Sequence, residues 1–403
     1  MSSRWRRPES GDERDESAIS LSFVGRDLCP AADALVGLLG SCGQYQEPGE
    51  GAPRGSGEPP HENMRAVAVN FESHKLEVKQ VAEPNRLADD EVLFRVNQVG
   101  VCGTDREIAA VRLVLPPPGD PFLTIGHEAL GQVIEVGRNV DALKPGDWVV
   151  PMVRRPCSGC RPCASGRPDL CATGEYVERG IVRLHGYFTD LAVDQSRYLL
   201  LVPSDLLDCA ILVEPLSAVE KAIETAQRAH TAYFTFDPPR ALVLGAGAIG
   251  ILAALTLRER GFDVEVASLE DREHPRVRVL DAAGIRYSAV DAARSADVVI
   301  EAAGSAEALA AGARLLAHNG VLIALGAPNA ATAFPFRDLI IKNQALIGSV
   351  NATAQSFEQA LRDLARFDRK VLRAMIHRAG FDDFQQTLQG PLAPYPKVVH
   401  MLV

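Results

Sequence analysis

Four cysteines crowd into one short segment of this chain, at Cys157, Cys160, Cys163 and Cys171. Four thiolates at these intervals can surround one tetrahedral Zn²⁺ within a single loop, and four protein ligands leave no open position, so the predicted site is structural. Two disulfides or free thiols are the alternative, which is less favoured in a large chain without a recognisable export signal. The spacing therefore predicts a long loop held by zinc where no packed core could hold it.

A second set of metal-ligating residue types lies in the runs 102–105 (CGTD) and 126–131 (GHEALG). Cysteine, histidine and carboxylate are all zinc ligands, and three of them leave the fourth position open for water or substrate, which makes a zinc catalytic. Taken singly, Cys102 is better explained as a small buried hydrophobe and His127 as a structural histidine. Because the four-cysteine loop lies downstream, we instead favour zinc binding by Cys102 and His127. Thr104 could relay a proton from a substrate oxygen, or it could simply cap a loop.

A glycine-rich turn follows the apolar strand predicted over 241–244 and opens the helix predicted over 248–260. It comprises Gly245, Ala246, Gly247, Ala248, Ile249 and Gly250. Glycines in this context permit a tight turn and let backbone N–H groups approach a pyrophosphate at the helix N-terminus. A merely tight strand-to-helix turn is the alternative, but the position between a strand and a helix favours a dinucleotide site.

The end of the next strand bears on the choice between NAD and NADP. Ser268 stands where an acidic residue would hold the ribose 2′-hydroxyl of NAD. Ser268 tolerates a 2′-phosphate, and Arg272 could reach one, whereas Glu270 could accept from a ribose hydroxyl or be solvated. The sequence leaves both cofactors open.

The order of predicted elements indicates an α/β chain. Short strands broken by Gly, Pro and Asp, such as 92–96, 131–137 and 148–150, predict a β-rich domain over 64–229, ending in a helix over 217–228. Residues 230–239 are predicted to be a linker. From 240 to 351 strands at 241–244, 264–267, 297–300 and 320–325 alternate with helices, which predicts a doubly wound parallel sheet. Residues 352–403 are expected to complete the first domain.

Composition excludes several classes of function. The formal charge of −10, with scattered basic residues, argues against a nucleic-acid partner. No apolar run approaches the roughly 20 residues that cross a bilayer, so we expect no membrane partner and a cytoplasmic location. Residues 1–63 are rich in Gly, Pro and Glu towards their end and are predicted to be a disordered extension.

These motifs together resemble the zinc-dependent medium-chain dehydrogenase family, over essentially 64–403. Within it the chain is most similar to glucose 1-dehydrogenases. The segments that carry this similarity are 102–108 (CGTDREI), 153–157 (VRRPC), 173–181 (TGEYVERGI), 184–188 (LHGYF), 214–217 (EPLS) and 347–351 (IGSVN). The resemblance implies a GroES-like catalytic domain and a Rossmann domain, with catalytic and structural zinc ions and NADP or NAD as cofactors.

The resemblance also implies residue roles. Cys102 and His127 would bind the catalytic zinc, with Glu128 and Glu214 as the carboxylates at or beside it. Glu178 and Asn351 match positions that hydrogen-bond sugar hydroxyls, as a polyhydroxylated substrate requires. The implied reaction is hydride transfer from the anomeric carbon of an aldose to the nicotinamide, giving an aldonolactone. The resemblance further implies a homo-oligomer, a dimer or tetramer.

Two other interpretations stay open. A polyol, secondary-alcohol or amino-alcohol (threonine-type) dehydrogenase would use the same metal chemistry on another substrate. A catalytically idle, zinc-bearing nicotinamide-binding protein is the remote alternative, because an idle site has no physical need for an open metal position.

Overall fold

The computed structural model describes residues 63–111, 115–157, 159–229, 239–328 and 333–402 of the 403-residue chain. The extension expected over 1–63 and the linker expected over 230–239 fall almost wholly outside these ranges. The strands are β1 (Asn63–Asn70), β2 (Lys75–Ala82), β3 (Glu91–Val101), β4 (Phe122–Thr124), β5 (Glu128–Val136), β6 (Trp148–Pro151), β7 (Arg154–Arg155), β8 (Val177–Arg179), β9 (Arg183–Leu184), β10 (Leu191–Gln195), β11 (Leu199–Val202), β12 (Arg240–Leu244), β13 (Asp263–Ser268), β14 (Arg286–Ala289), β15 (Ala296–Glu301), β16 (Leu316–Ala324), β17 (Ala345–Gly348), β18 (Ile376–Gly380) and β19 (Lys397–Met401).

Ten α-helices lie in the described residues. They are α1 (Gly103–Ala109), α2 (Arg161–Ala164), α3 (Val213–Ala229), α4 (Ala248–Glu259), α5 (Pro275–Ala282), α6 (Ala306–Leu315), α7 (Phe336–Ile341), α8 (Ala354–Leu364), α9 (Arg369–Met375) and α10 (Phe384–Gln389). Short 3₁₀ helices span Pro168–Leu170, Ser196–Tyr198, Ser204–Leu206, Ala210–Leu212, Val290–Ala292 and Phe381–Asp383. No helix among these is long and apolar enough to cross a bilayer.

The strands after residue 239 form a six-stranded, all-parallel sheet in the order β14-β13-β12-β15-β16-β17. Strand β12 is buried on both faces from Ala241 to Leu244, as expected when helices cover a parallel sheet on both sides. The strand order reverses at β12 and β15, and in such sheets the crevice beyond that reversal is where ligands bind. The expected α/β fold with a doubly wound parallel sheet is confirmed.

The first part of the chain and its last strands share a mixed sheet. Its order is β11-β6-β5-β3-β19-β18, and β10 also pairs with β3. Strand β19 runs antiparallel to β3, with Val398 opposite Val101, and Gly100 of β3 lies opposite Glu128 of β5. This register brings residue 397, near the end of the chain, beside the segment that begins at Cys102.

Helix α3 carries one buried apolar stripe. Leu216, Val219, Ile223 and Ala226 repeat at helical spacing and are fully buried in the cluster that also contains core residues of the parallel sheet. Because the stripe fixes the rotation of the helix, the polar residues of α3 are held at defined positions. Glu214 lies in its first turn.

Candidate active site and zinc loop

The four cysteines of the 157–171 loop converge. The Sγ atoms of Cys157, Cys160, Cys163 and Cys171 all lie within 4.8 Å of one another. The sulfur atoms of Cys160 and Cys171 are 3.9 Å apart, far beyond the roughly 2.05 Å of a disulfide bond. Tetrahedral coordination with zinc–sulfur bonds of about 2.3 Å requires sulfur–sulfur distances of about 3.8 Å. The cluster therefore fits a zinc ion held by four thiolates.

Local structure and electrostatics prepare this loop for a cation. Cys160 caps the short helix α2, and Cys163 lies one turn further on. A hydrogen bond from the Thr173 hydroxyl lowers the pKa of Cys157 to about 6, whereas burial raises the pKa of Cys163 to about 12. Four thiolates this close together would repel one another, and a bound cation would offset that repulsion.

The second cluster forms where β3 ends and α1 begins. Cys102 caps α1: its Sγ accepts from the Thr104 backbone N–H at 3.3 Å, and its own N–H donates to Asp105 Oδ2 at 2.9 Å. The Sγ atom also lies 3.2 Å from His127 Nε2. The other ring nitrogen, Nδ1, lies 3.2 Å from Asp105 Oδ1. A carboxylate behind a histidine fixes the orientation of the ring and raises its basicity, as in many zinc sites.

Two glutamates complete this cluster. Ligand atoms of His127, Glu128 and Glu214 lie within 4.8 Å of one another. Lys397 Nζ donates to Glu128 Oε1 at 2.6 Å and to the Val101 carbonyl at 3.3 Å, and both charged side chains of the Glu128–Lys397 pair are buried. Glu128 Oε2 is buried without a hydrogen-bond partner among the described residues. The donor set and this unpaired oxygen fit a divalent cation.

Burial and the neighbouring charges shift the pKa values of residues in this cluster. Burial lowers the pKa of His127, but Asp105 and Cys102 outweigh burial and hold it well above its ordinary value. Burial raises the pKa of Glu214 to about 7, with the neighbouring Glu128 adding to the rise. The site thus accumulates acidic groups that a bound cation would stabilise in ionised form.

The glycine turn has the geometry of a phosphate cradle. Gly245 follows β12 with φ of +112°, in the region that favours glycine. A Cβ at Gly250 would lie 1.9 Å from the Gly245 carbonyl oxygen, so only glycine permits this close approach of helix to strand. A Cβ at Gly247 would meet nothing within 4 Å, so space remains above the N-terminus of α4, where Ala248 and Ile249 follow. The residues present therefore fit a dinucleotide pyrophosphate.

The residues expected to choose the cofactor lie around the end of β13. Ser268 Oγ is 3.1 Å from the Tyr287 hydroxyl, which donates to the Glu270 carbonyl. The Glu270 carboxylate is held by Arg276 at 2.9 Å. Arg272 is exposed, with its guanidinium 3.6 Å from Asp281. The structure thus brings Ser268 and Glu270 together and assigns Glu270 a protein partner.

The residues implied as sugar contacts touch each other. Asn351 Nδ2 donates to Glu178 Oε1 at 2.6 Å, and Arg154 Nε donates to the same oxygen at 2.8 Å. Further along the same loop, a Cβ at Gly180 would lie 2.5 Å from the Gly126 carbonyl. The segment carrying Glu178 therefore abuts the residue before His127.

Sequence reasoning missed three charged residues of this region. Asp105 lies within the 102–105 run (CGTD), and its position three residues after a capping cysteine is the signal that could have indicated its role. Lys397 is separated from Glu128 by 269 residues and carried no local signal. Arg154 lies within 153–157 (VRRPC), and nothing in that run indicates its partner.

Comparison with known proteins covers most of the chain. The model for the alcohol dehydrogenase GroES-like domain matches residues 88–204, and the model for the glucose dehydrogenase C-terminus matches residues 207–390. Glucose 1-dehydrogenase 1 of Caldivirga maquilingensis is 38% identical over 340 residues, which is 80% of this chain and 95% of that protein. Glucose 1-dehydrogenase of Methanocella arvoryzae is 36% identical, over 81% of this chain and 96% of that protein.

The fold is also similar to solved structures. The glucose dehydrogenase of Haloferax mediterranei, solved in complex with NADP, Zn and gluconolactone, superposes with a TM-score of 0.77 at 29% identity. The superposition covers 84% of this chain and 99% of that one.

Proposed function

The chain belongs to the zinc-dependent medium-chain dehydrogenases of the glucose dehydrogenase type, and we propose that it oxidises a glucose-like aldose at the anomeric carbon. The hydride passes to NADP or NAD, and the product is an aldonolactone. One observation carries the proposal: a cysteine–histidine–carboxylate cluster, with His127 and Glu128 buried and Cys102 half-buried, occurs with an open glycine cradle in a chain that spans 95% of a glucose 1-dehydrogenase. A relative solved with NADP, Zn and gluconolactone supports the same chemistry.

The metal chemistry is assigned to the cluster formed by Cys102, His127, Glu128 and Glu214. Cys102 and His127, with Glu128 or Glu214 as the carboxylate, would hold the catalytic zinc, and the four cysteines of the loop would hold the structural one. The catalytic ion, when bound, supplies a Lewis acid that favours loss of a proton from the substrate hydroxyl. Asp105 keeps the imidazole ring oriented.

Hydride transfer also requires that the hydroxyl proton leave and that the sugar be held. Thr104 lies in the first turn of α1, two residues after Cys102, and we assign its hydroxyl to relay the departing proton. Glu178 and Asn351 are assigned to bind sugar hydroxyls, since a buried carboxylate and an amide at 2.6 Å match groups that both donate and accept. Positioning by these side chains raises the fraction of productive encounters.

The cofactor is assigned to the turn at 245–250, with its pyrophosphate at the N-terminus of α4. Glu270 is engaged by Arg276, so the carboxylate that could have accepted from a ribose hydroxyl already has a partner. Ser268 and the exposed Arg272, whose guanidinium lies 3.6 Å from Asp281, place a hydroxyl and one guanidinium group near the end of β13, which favours NADP over NAD. This preference predicts a lower KM for NADP.

We also propose that the protein acts in the cytoplasm as a homo-oligomer. Strand β17 is an outer strand of the parallel sheet, and the adjoining helix α7 exposes Phe336, Ile340 and Ile341 at 65%, 71% and 60%. Among the described residues β17 pairs on one side only, with β16. An open strand edge can pair with another chain, and exposed apolar side chains beside it are commonly covered by a second copy. Light scattering of the wild type and of Ile340→Glu tests the oligomeric state. The introduced carboxylate should destabilise the contact between copies, so the molar mass of the variant should shift towards that of the monomer.

The decisive assay follows cofactor reduction by the purified full chain with NAD and NADP separately. D-Glucose, D-galactose, D-xylose, sorbitol and 2-propanol are compared, and the lactone is trapped as a hydroxamate. Cys102→Ser is the control, which should lose turnover and one of two zinc ions per chain while keeping the fold.

Each other outcome discriminates among the alternatives. Activity with sorbitol or 2-propanol but with no aldose would keep the zinc chemistry and replace the substrate. Two bound zinc ions per chain with no turnover of any of the five substrates would overturn the proposal. A single zinc ion per chain would favour an idle nicotinamide-binding protein.

A further inference from the structure

A buried arginine holds the Glu178 carboxylate from behind. Arg154 of β7 lies opposite Glu178 of β8 in the antiparallel register, and the two side chains are only 4% and 8% exposed. The guanidinium stacks 3.7 Å from the Tyr176 ring centroid, and its Nη1 donates to the Asp169 carbonyl at 3.4 Å. Arg154 therefore joins Glu178 to the segment that leads into Cys171.

The same carboxylate oxygen reaches the nucleotide-binding half. Asn351 donates to Glu178 Oε1, while its own Oδ1 accepts from the Ala352 N–H at 2.7 Å. Asn351 has φ of +63°, in the left-handed region that asparagine adopts more readily than most residues. Because the Asn351 amide contacts both Glu178 and the Ala352 N–H, a movement of the 351–352 backbone would displace the Glu178 carboxylate.

A lysine closes this set of contacts into a ring. Lys221 of α3 is buried, and its Nζ donates to the Val350 carbonyl at 2.8 Å. The same ammonium lies 3.9 Å from Asp169 Oδ2, and Asp169 is held by two hydrogen bonds from Arg167 at 2.8 and 2.7 Å. The ring runs from Asp169 through Arg154, Glu178, the 350–351 segment and Lys221 back to Asp169.

We propose that Arg154 and Lys221 are positioning residues, which fix Glu178 and Asn351 relative to each other and anchor both to the four-cysteine loop. The inference rests on the proposed function, because it assigns the geometry of sugar binding to this ring. Neither residue needs to touch the substrate. A displacement of about 1 Å in a positioned group can cost on the order of 100-fold in rate, so the ring sets sugar recognition.

The test compares Arg154→Gln and Lys221→Met with Arg161→Gln, an exposed charge in the same loop that lies outside the ring. KM and kcat are measured for D-glucose and for its 2-, 3-, 4- and 6-deoxy derivatives, with NADP affinity and zinc content as controls. The wild type should discriminate against at least one deoxyglucose. Each ring variant should raise KM for glucose roughly 10- to 100-fold and abolish that discrimination, with two zinc ions and NADP affinity retained.

Hydrogen exchange supplies a readout that does not depend on any substrate. Arg154→Gln should speed amide exchange at 349–352, across the ring, about tenfold, and Lys221→Met should do so at 176–180. Arg161→Gln should change neither segment. If Arg154→Gln does not fold, Lys221→Met tests the ring from the opposite side.

The outcomes separate the two proposals. If no aldose is oxidised by the wild type, the proposed function fails, while the exchange data still decide whether the ring positions these segments. Unchanged exchange across the ring, or ring variants that keep the wild-type preference among deoxyglucoses, would overturn the inference.

Discussion

Removing the ammonium of Lys397 should destabilise the zinc-free protein strongly. Lys397 Nζ lies 2.6 Å from Glu128 Oε1 with the two side chains 3% and 1% exposed, so Lys397→Met would leave a buried carboxylate without its counter-ion. Breaking a buried pair in this way costs about 3–5 kcal/mol. With an unfolding entropy of roughly 2.1 cal/mol/K per residue over about 340 residues, that loss lowers Tm by about 4–7 °C.

A double-mutant cycle isolates the pair. Glu128→Gln removes the charge that needs Lys397, so Lys397→Met in that background should cost about 1 kcal/mol or less, which corresponds to a coupling of at least 2 kcal/mol. Unfolding is followed by calorimetry for the four variants after chelation and again with excess zinc. The four-cysteine loop is common to all variants, so its contribution cancels.

Bound zinc should reduce the stability that Lys397→Met loses. Two positive charges beside Glu128 replace the lost ammonium, so Lys397→Met should lower Tm less in the zinc-loaded protein than in the chelated one. Additive effects of the two substitutions, or an equal loss with and without zinc, would refute this account of the cluster.

Five further substitutions have distinct expected results. Gly250→Ala, whose Cβ would meet a backbone oxygen at 1.9 Å, should lower both Tm and NADP affinity, whereas Gly247→Ala, which has open space, should weaken NADP binding tenfold or more with Tm unchanged; calorimetry and fluorescence titration distinguish them. Cys163→Ser should lose one zinc per chain and lower Tm, and Cys102→Ser should lose one zinc with little change in Tm, as metal analysis and calorimetry will report. Burial raises the pKa of Glu220 to about 7, so its contribution to stability is present below about pH 4.5 and is lost as pH rises to about 7. Between about pH 4.5 and pH 7, the free energy of unfolding of Glu220→Gln should therefore rise by about 3 kcal/mol relative to that of the wild type. Parallel curves of unfolding free energy against pH for the two proteins would contradict the assignment.

Much of the fold could be predicted because its signals are local. The apolar runs at 241–244 and 264–267 became the adjacent parallel strands β12 and β13, and the helix expected over 217–228 became α3. Alternation of strand and helix restricts connections to a few topologies, so the doubly wound sheet follows from the order of its elements.

The sequence by itself determined the motifs whose parts are close along the chain. The four cysteines span few residues, so their spacing alone indicates that one ion can join them, and the glycine turn needs only the strand before it and the helix after it. The reason is physical: short segments limit how far their side chains can separate.

Only the tertiary structure decided which distant charges meet. Lys397 reaches Glu128 because β19 returns along β3, and Asn351 reaches Glu178 because the loop after β17 lies against β8. Glu270 could have faced a ribose until folding placed Arg276 against it. Such pairs depend on strand register and helix packing, which emerge from the whole core, and no local pattern encodes them.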